Sequence, residues 1–176
     1  MKSIACVVAL SVVGWPAFAE TDTQPHTSPN GKVSIINVGD TAQPDHYFQI
    51  RSDDGRVLIS SNSYRGLTSG SFAMAIRWSQ DSHFVAFSVQ TSGPYVRDTF
   101  IYSTRTNSIL MLPTEDDDHQ TTPIRWHTAN LLIIETRSPI GGKAGHDTYS
   151  YRRTIRLTDS PIHHEALYTT KPARRQ

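Results

Sequence analysis

The chain has 176 residues, of which 37% are hydrophobic and 19% are charged, with 17 basic and 16 acidic side chains. This length supports one domain with a core and is too short for two of ordinary size. The near-balance of charge disfavours a protein that coats nucleic acid or an anionic membrane surface. A single cysteine excludes a disulfide framework and a four-thiolate zinc site.

Residues 1–19 have the pattern of a cleaved signal peptide. Lys2 gives a positive start, residues 4–13 are an apolar run, and Ala17-Phe18-Ala19 fits the small-x-small cleavage pattern. An uncleaved anchor would need a longer apolar run. We therefore expect cleavage after Ala19 and a periplasmic protein. The remaining chain would carry 16 basic and 16 acidic groups and no cysteine, so packing alone would stabilise it.

Short β signals dominate the rest of the chain, because Thr, Ser, Tyr, Val and Ile are frequent and turn residues recur every few positions. Helical periodicity is nearly absent, which predicts an all-β protein. The predicted strands are residues 33–38, 46–52, 56–60, 71–77, 83–89, 99–104, 108–112, 130–136 and 149–158.

These strands fall into an internal repeat of about fifty residues. The Ile-Arg-Trp that ends at Trp78 recurs, ending at Trp126, and the strand that begins Asp98-Thr99 recurs from Asp147. Residues 28–32 align with residues 79–83 at a spacing of 51 residues. This period predicts three propeller-blade repeats, at about 28–75, 76–123 and 124–160, in one domain spanning 20–170 with a basic tail at 171–176.

Two segments resemble the W-S-P-D-G-x-x-[IL]-A-[FY] blade signature of TolB-type β-propellers. They are residues 28–33, Ser-Pro-Asn-Gly-Lys-Val, and residues 78–87, Trp-Ser-Gln-Asp-Ser-His-Phe-Val-Ala-Phe. The third copy keeps Trp126 and the following strand but lacks the Pro-Asp-Gly. The resemblance covers most of residues 28–158 and implies a turn before each buried strand. It says little about activity, because propellers host many unrelated functions.

The number of repeats leaves the closure of the fold open. Closed propellers have at least four blades, and this chain has material for three. The sequence therefore predicts three antiparallel, blade-like sheets that form an open or partial β-propeller, or two chains that complete a ring of six blades. An ordinary antiparallel sandwich with accidental repetition is the alternative.

Motifs for catalysis, cofactors and metals are absent from the sequence. Thr91-Ser92-Gly93 lacks the first glycine of a nucleophile elbow, and no phosphate-binding glycine motif occurs. The acidic run 115–118 lacks the alternating spacing of a calcium loop, and His163-His164 has no third ligand, which predicts a turn in the tail. We expect no enzyme, no cofactor and no metal, although a hydrolase or lyase assembled from different blades is a weaker alternative.

Arginine supplies thirteen of the seventeen basic residues. Three arginines lie on the predicted strand 149–158, and alternation along that strand places Arg152 and Arg156 on one face and Arg153 on the other. The cluster is therefore split. Neither export nor the balanced charge favours contact with nucleic acid.

Longer connections at equivalent places in the repeats, residues 39–45, 90–98 and 138–147, should converge on one face. Their candidate partner-binding residues are Ser92, Gly93, Pro94, Tyr95, Arg97, Ser138, Lys143 and His146. The expected function is that of a periplasmic inhibitor or immunity protein that blocks a toxin or a cell-wall hydrolase. The format resembles the immunity proteins of interbacterial amidase effectors. The alternative is an envelope scaffold or assembly factor that associates with itself.

Overall fold

Three separate four-stranded antiparallel sheets follow one another along the chain in the computed structural model. The structure describes residues 24–39, 46–63, 67, 70–92, 96–112, 120–137, 150–159 and 162–170. Each sheet is a meander in which neighbouring strands pair in chain order, the arrangement of a propeller blade. The signal-peptide prediction for residues 1–19 and the basic tail at 171–176 lie outside the described residues.

The first blade contains β1 (His26–Thr27), β2 (Val33–Val38), β3 (Tyr47–Ser52) and β4 (Val57–Ser60), followed by a 3-10 turn, Ser61–Ser63. The second contains β5 (Phe72–Trp78), β6 (Phe84–Ser92), β7 (Val96–Ser103) and β8 (Ser108–Met111). The third contains β9 (Gln120–Thr128), β10 (Leu131–Arg137), β11 (Ser150–Asp159) and β12 (Ile162–Thr170).

The turn that precedes the second strand is built in the same way in the first two blades. Ser28 Oγ donates to Asn30 Oδ1 at 2.8 Å and accepts from the N–H of Val33 at 3.1 Å. Ser79 Oγ repeats both bonds, donating to Asp81 Oδ1 at 2.7 Å and accepting from the next strand at 2.9 Å. The resembling segments are therefore equivalent in structure, with a fixed offset of 51 residues.

Two apolar clusters join the blades face to face. One contains Ile35, Phe48 and Ile50 of the first blade with Val85, Phe87, Val89, Phe100 and Tyr102 of the second. The other contains Phe84, Ala86 and Ile101 of the second blade with Leu132, Ile134, Ile155 and Leu157 of the third. The second blade is thus buried on both faces, and the first and third blades are each packed on one face, so the array does not close.

Tryptophan side chains connect the innermost strands of successive blades. Trp78 Nε1 donates to the carbonyl oxygen of His26 at 3.1 Å, and Trp126 Nε1 donates to that of Arg77 at 2.8 Å. Arg77 Nε in turn donates to the carbonyl oxygen of Ile124 at 3.0 Å. The repeated tryptophan therefore fixes each blade to the one before it.

All nine predicted strands are present, but the end of the third repeat differs from its prediction. His163 and His164, predicted as a turn, lie in β12, where they pair with Thr158 and Leu157. The third sheet therefore continues past residue 160, and it begins at Gln120 rather than at 124. The predicted alternation of the three arginines on β11 is confirmed, because Arg153 is buried and both Arg152 and Arg156 are exposed.

Candidate functional site

The connections between the second and third strands of the three blades open at the same end of the array. The corresponding ladders finish at Val38↔Tyr47, Ser92↔Val96 and Arg137↔Ser150. Contacts between blades bring these ends together: the Asn37 side chain makes two hydrogen bonds to the backbone of Ala73, and the N–H of Thr99 donates to Thr121 Oγ1 at 2.8 Å. We call this end of the array the loop end.

The middle connection is shorter than predicted. Residues 90–98 were expected to form a loop, but Gln90 pairs with Arg97 and Ser92 pairs with Val96 in an extended ladder. Ser92 and Arg97 are consequently strand residues. Residues 93–95, which contain the Gly-Pro pair, lie between the two strands and outside the described residues.

The remaining predicted binding residues cannot be placed in the site. Gly93, Pro94, Tyr95, Ser138, Lys143 and His146 lie outside the described residues. In the first connection, Gly39 has φ +88°, and a Cβ at this position would lie 3.2 Å from the Cα of His46. The chain therefore leaves and re-enters the first blade in close contact, which only glycine accommodates without strain.

Buried polar bonds between blades brace the loop end, and sequence reasoning missed them. Asn37 Nδ2 donates to the carbonyl oxygen of Ala73 at 2.9 Å, and its Oδ1 accepts from the N–H of Ala73 at 2.9 Å. At the equivalent place one blade later, Ser88 Oγ donates to the carbonyl oxygen of Thr121 at 3.2 Å. The only available signal was a polar residue inside an apolar strand. Rigid support of this kind is what a binding surface made of loops requires.

A cleft of about 520 Å³ lies at the opposite end, between the second and third blades. Its lining residues are Asp81, His83, Phe84, Arg105, Ala129, Asn130, Leu157 and Thr158. Phe84 is enclosed between the rings of His83 and Trp126, at centroid distances of 4.2 and 5.9 Å. The carboxylate of Asp81 is held by the turn, since its Oδ1 accepts from Ser79 Oγ and from the N–H of His83.

The environment of Asp81 predicts an acid-dependent contribution to stability. Desolvation is the largest single influence and raises the pKa, but the hydrogen bonds from Ser79 and His83 and the attraction to His83 outweigh it and hold the pKa below 3.8. A carboxyl group with a lowered folded-state pKa stabilises the fold above the unfolded-state pKa, and this stabilisation is lost as the pH falls through the folded-state value.

We therefore expect Asp81→Asn to reduce the loss of unfolding free energy on acidification, measured by chemical denaturation between about pH 2 and pH 6. Asparagine keeps the acceptor oxygen, and Asn30 occupies this position in the first blade. The matched variant Asn30→Asp should increase the loss of unfolding free energy on acidification. If the free energy of unfolding falls equally steeply with pH in wild type and Asp81→Asn, the Asp81 carboxylate does not contribute to the acid dependence of stability.

The two outer faces of the array differ from the buried ones. In the first blade, Ile35 and Phe48 are among the residues that pack on the second blade. In the second blade, Ala86 and Ile101 are among those that pack on the third. The third blade has charged or polar residues at most of the corresponding places. They are Glu135, Arg152, Thr154 and Arg156, and all four are half-buried or exposed. The outer face of the third blade is therefore polar where the buried faces of the first two blades are apolar.

Metal ligands do not cluster in the part of the chain that the structure describes: no three His, Cys, Asp or Glu side chains there could hold an ion together. The acidic run 115–118 and His119 lie outside it. Over the same residues, no helix is long and apolar enough to cross a bilayer.

No family model matches the chain, and no curated protein matches it. Among solved structures, the β-propeller domain of the trilobed protease from Pyrococcus furiosus is similar at 12% identity, with a TM-score of 0.47 over 83% of this chain and 43% of that one. A structure of two prolyl endopeptidases is similar at 14% identity, with a TM-score of 0.34 over 85% of this chain and 28% of that one. The chain spans less than half the length of either structure.

Proposed function

We propose that this protein is an exported protein-binding module without enzymatic activity, which inhibits a toxin or a cell-wall hydrolase by occluding its active site. The observation that supports this proposal is the loop end, where equivalent connections of three braced blades leave the array side by side. Loops on a rigid scaffold are a frequent basis for recognition. The resemblance to immunity proteins is one of format and rests on no motif.

The β6–β7 hairpin is the proposed anchor of this surface. The ladder extends to the pair Ser92 and Val96, so paired backbone precedes and follows residues 93–95. Tyrosine and arginine are enriched at protein interfaces, and the hairpin contains Tyr95 and Arg97. In the proposed complex, Tyr95 or Pro94 fills the catalytic groove of the partner and Ser92 donates a hydrogen bond.

Affinity capture of the tagged protein from a periplasmic extract, with mass spectrometry and light scattering of the eluate, tests the proposal. We expect one exported hydrolase at equal stoichiometry, whose purified activity falls when this protein is added. A captured protein without hydrolytic or toxic activity, or a hydrolase whose activity does not change, contradicts inhibition.

Replacing the hairpin residues tests which surface binds. We expect the double variant Ser92→Ala/Tyr95→Ala to weaken binding to the captured partner by about 2 kcal/mol or more, roughly thirtyfold in Kd, because hot-spot residues dominate interfaces. The control is Asp53→Ala/Arg56→Ala, which changes exposed residues of the β3–β4 turn at the opposite end. Equal affinities for both double variants would remove the hairpin from the interface.

The alternative is an envelope scaffold in which two copies complete a ring of six blades. The two unpacked outer faces favour association of some kind. However, the ring would bury Glu135, Arg152 and Arg156 of one copy against the first blade of the other, whose outer face includes Arg51. Burying three arginines with a single glutamate would place an excess of positive charge in the interface, which is unfavourable. A dimer as the sole product of the capture experiment would support the scaffold and contradict the inhibitor.

A further inference from the structure

The interface between the second and third blades contains a buried arginine. Arg153 lies on β11 with 9% of its surface exposed, on the same face as Ile155 and Leu157, which pack against the second blade. It stands opposite Ile134 on β10, which belongs to the same cluster. The guanidinium is therefore directed into the interior of the array and not towards solvent.

The preceding blade has phenylalanine at this position. Val85 pairs with Trp78, and Leu132 pairs with Trp126, so the two ladders are aligned from these residues onward. Phe100 pairs with Phe87 in the second blade as Arg153 pairs with Ile134 in the third. The aromatic ring of Phe100 fills this position in the first interface. The packing between blades therefore does not require an arginine here.

One edge of the Arg153 guanidinium has no hydrogen-bond partner. The atoms concerned are Nε and Nη2, both of them buried. Their N–H groups project in parallel from the same side of the planar group and form the fork that binds the two oxygens of a carboxylate. A buried cation is costly unless it is paired and hydrogen-bonded, so the empty fork indicates an anion that the described residues do not supply.

Hydroxyl groups surround this part of the interface. Thr136 lies diagonally across the ladder from Arg153, and Thr121 pairs with Thr136 on its other side. Thr99 of the second blade joins them through its N–H bond to Thr121 Oγ1. The Oγ1 atoms of Thr99 and Thr136 are buried without a partner and can donate to an anion. In the first interface, valine and alanine occupy the places of Thr136 and Thr121, as Val89 and Ala73.

We propose that Arg153, assisted by the hydroxyls of Thr99 and Thr136, forms a carboxylate-binding site between the second and third blades. The carboxylate belongs either to another molecule or to the acidic run 115–118 of the chain itself, which lies outside the described residues. The site is distinct from the proposed hairpin anchor, and neither proposal depends on the other.

Nuclear magnetic resonance of the purified protein with 15N-labelled arginine tests this site, with sodium acetate as the probe and sodium chloride at equal ionic strength as the control. The Arg153 Nε–Hε signal is assigned by its loss in Arg153→Lys. If the carboxylate comes from another molecule, this signal shifts downfield and saturates with acetate but not with chloride. The signals of the exposed Arg56 and Arg156 should not saturate.

A variant in which Glu115 becomes Gln and Asp116, Asp117 and Asp118 become Asn identifies the internal source. If the chain supplies the carboxylate, the wild-type signal is already downfield and insensitive to acetate, and the variant restores the acetate-dependent shift. Thermal unfolding gives a second readout: acetate should raise the Tm of the acetate-responsive protein and have no specific effect on Arg153→Met. No saturable shift in either protein, together with no Tm difference, would overturn the proposal.

Discussion

Replacing Phe87 by alanine is expected to lower the free energy of unfolding by about 3–5 kcal/mol, because a large aromatic side chain would be removed from a closely packed interface. Phe87 has no exposed surface and contacts the Phe48 ring edge-on, with centroids 5.3 Å apart, across the first two blades. Its equivalent in the first blade, 51 residues earlier, is Ile36, which is only half-buried because no other described blade packs on that face. Urea denaturation of the purified variant measures the change.

Two valines at equivalent positions provide the matched control for this experiment. Val89 is fully buried between the first two blades, and Val38 lies on the outer face of the first. In an open array, Val89→Ala should cost about 2 kcal/mol for the two carbons removed, and Val38→Ala well under half of that. If two copies close a ring of six blades, Val38 is buried as Val89 is, and the two losses become similar and dependent on protein concentration.

The blades could be predicted because their turns carry local information. Serine, then asparagine or aspartate, makes the same hydrogen bonds in both copies of the turn, and strands bracketed by such turns are recognisable from the sequence. β12 was missed because its polar start, His163-His164-Glu165, does not resemble a buried strand. It is the outermost strand of its sheet, where one-sided pairing requires less apolar sequence.

The faces of the third blade could not be read from the repeat alone. The tryptophans are 48 residues apart, but the turn after Trp126 is one residue shorter than the turn after Trp78. A shift of one residue moves every side chain to the other face of a strand. Ile134 therefore corresponds to Phe87 and faces the preceding blade, whereas the tryptophan spacing would align it with Ala86. The strand register of the third blade is needed to assign its charged residues to the outer face.

The common end of the three connections could be predicted from the repeat, but the bonds that brace it could not. The repeat correctly implied that equivalent connections share one end, because that follows from strand order. The bonds that brace this end join residues far apart in the sequence, as in Asn37 with Ala73 or Ser88 with Thr121. No local pattern specifies which backbone group a buried amide or hydroxyl will meet. The extent of the β6–β7 ladder, which continues to Ser92 and Val96, is likewise determined by cross-strand pairing and could not be predicted from the Gly-Pro pair.

Replacing Asn37 by leucine, which has a similar volume, is expected to lower the free energy of unfolding by about 2–6 kcal/mol. The Asn37 side chain holds both the N–H and the carbonyl of Ala73, each at 2.9 Å, and Ala73 is 3% exposed. Leucine would leave two buried backbone groups without these partners, at about 1–3 kcal/mol each. Denaturation gives the total, and amide hydrogen exchange gives the location, since the Ala73 N–H should lose protection before its neighbours.

Serine at position 37 is the informative intermediate, because the second blade uses a serine at the equivalent place. Ser88 Oγ makes a single bond to the carbonyl oxygen of Thr121 at 3.2 Å, so Asn37→Ser can retain one of the two bonds and should cost less than Asn37→Leu. Ser88→Ala, which removes only that one bond, should cost about 1 kcal/mol. A leucine variant as stable as wild type, with Ala73 still protected, would mean that apolar packing alone joins the first two blades. The loop end would then lack the polar bracing on which the proposed binding surface relies.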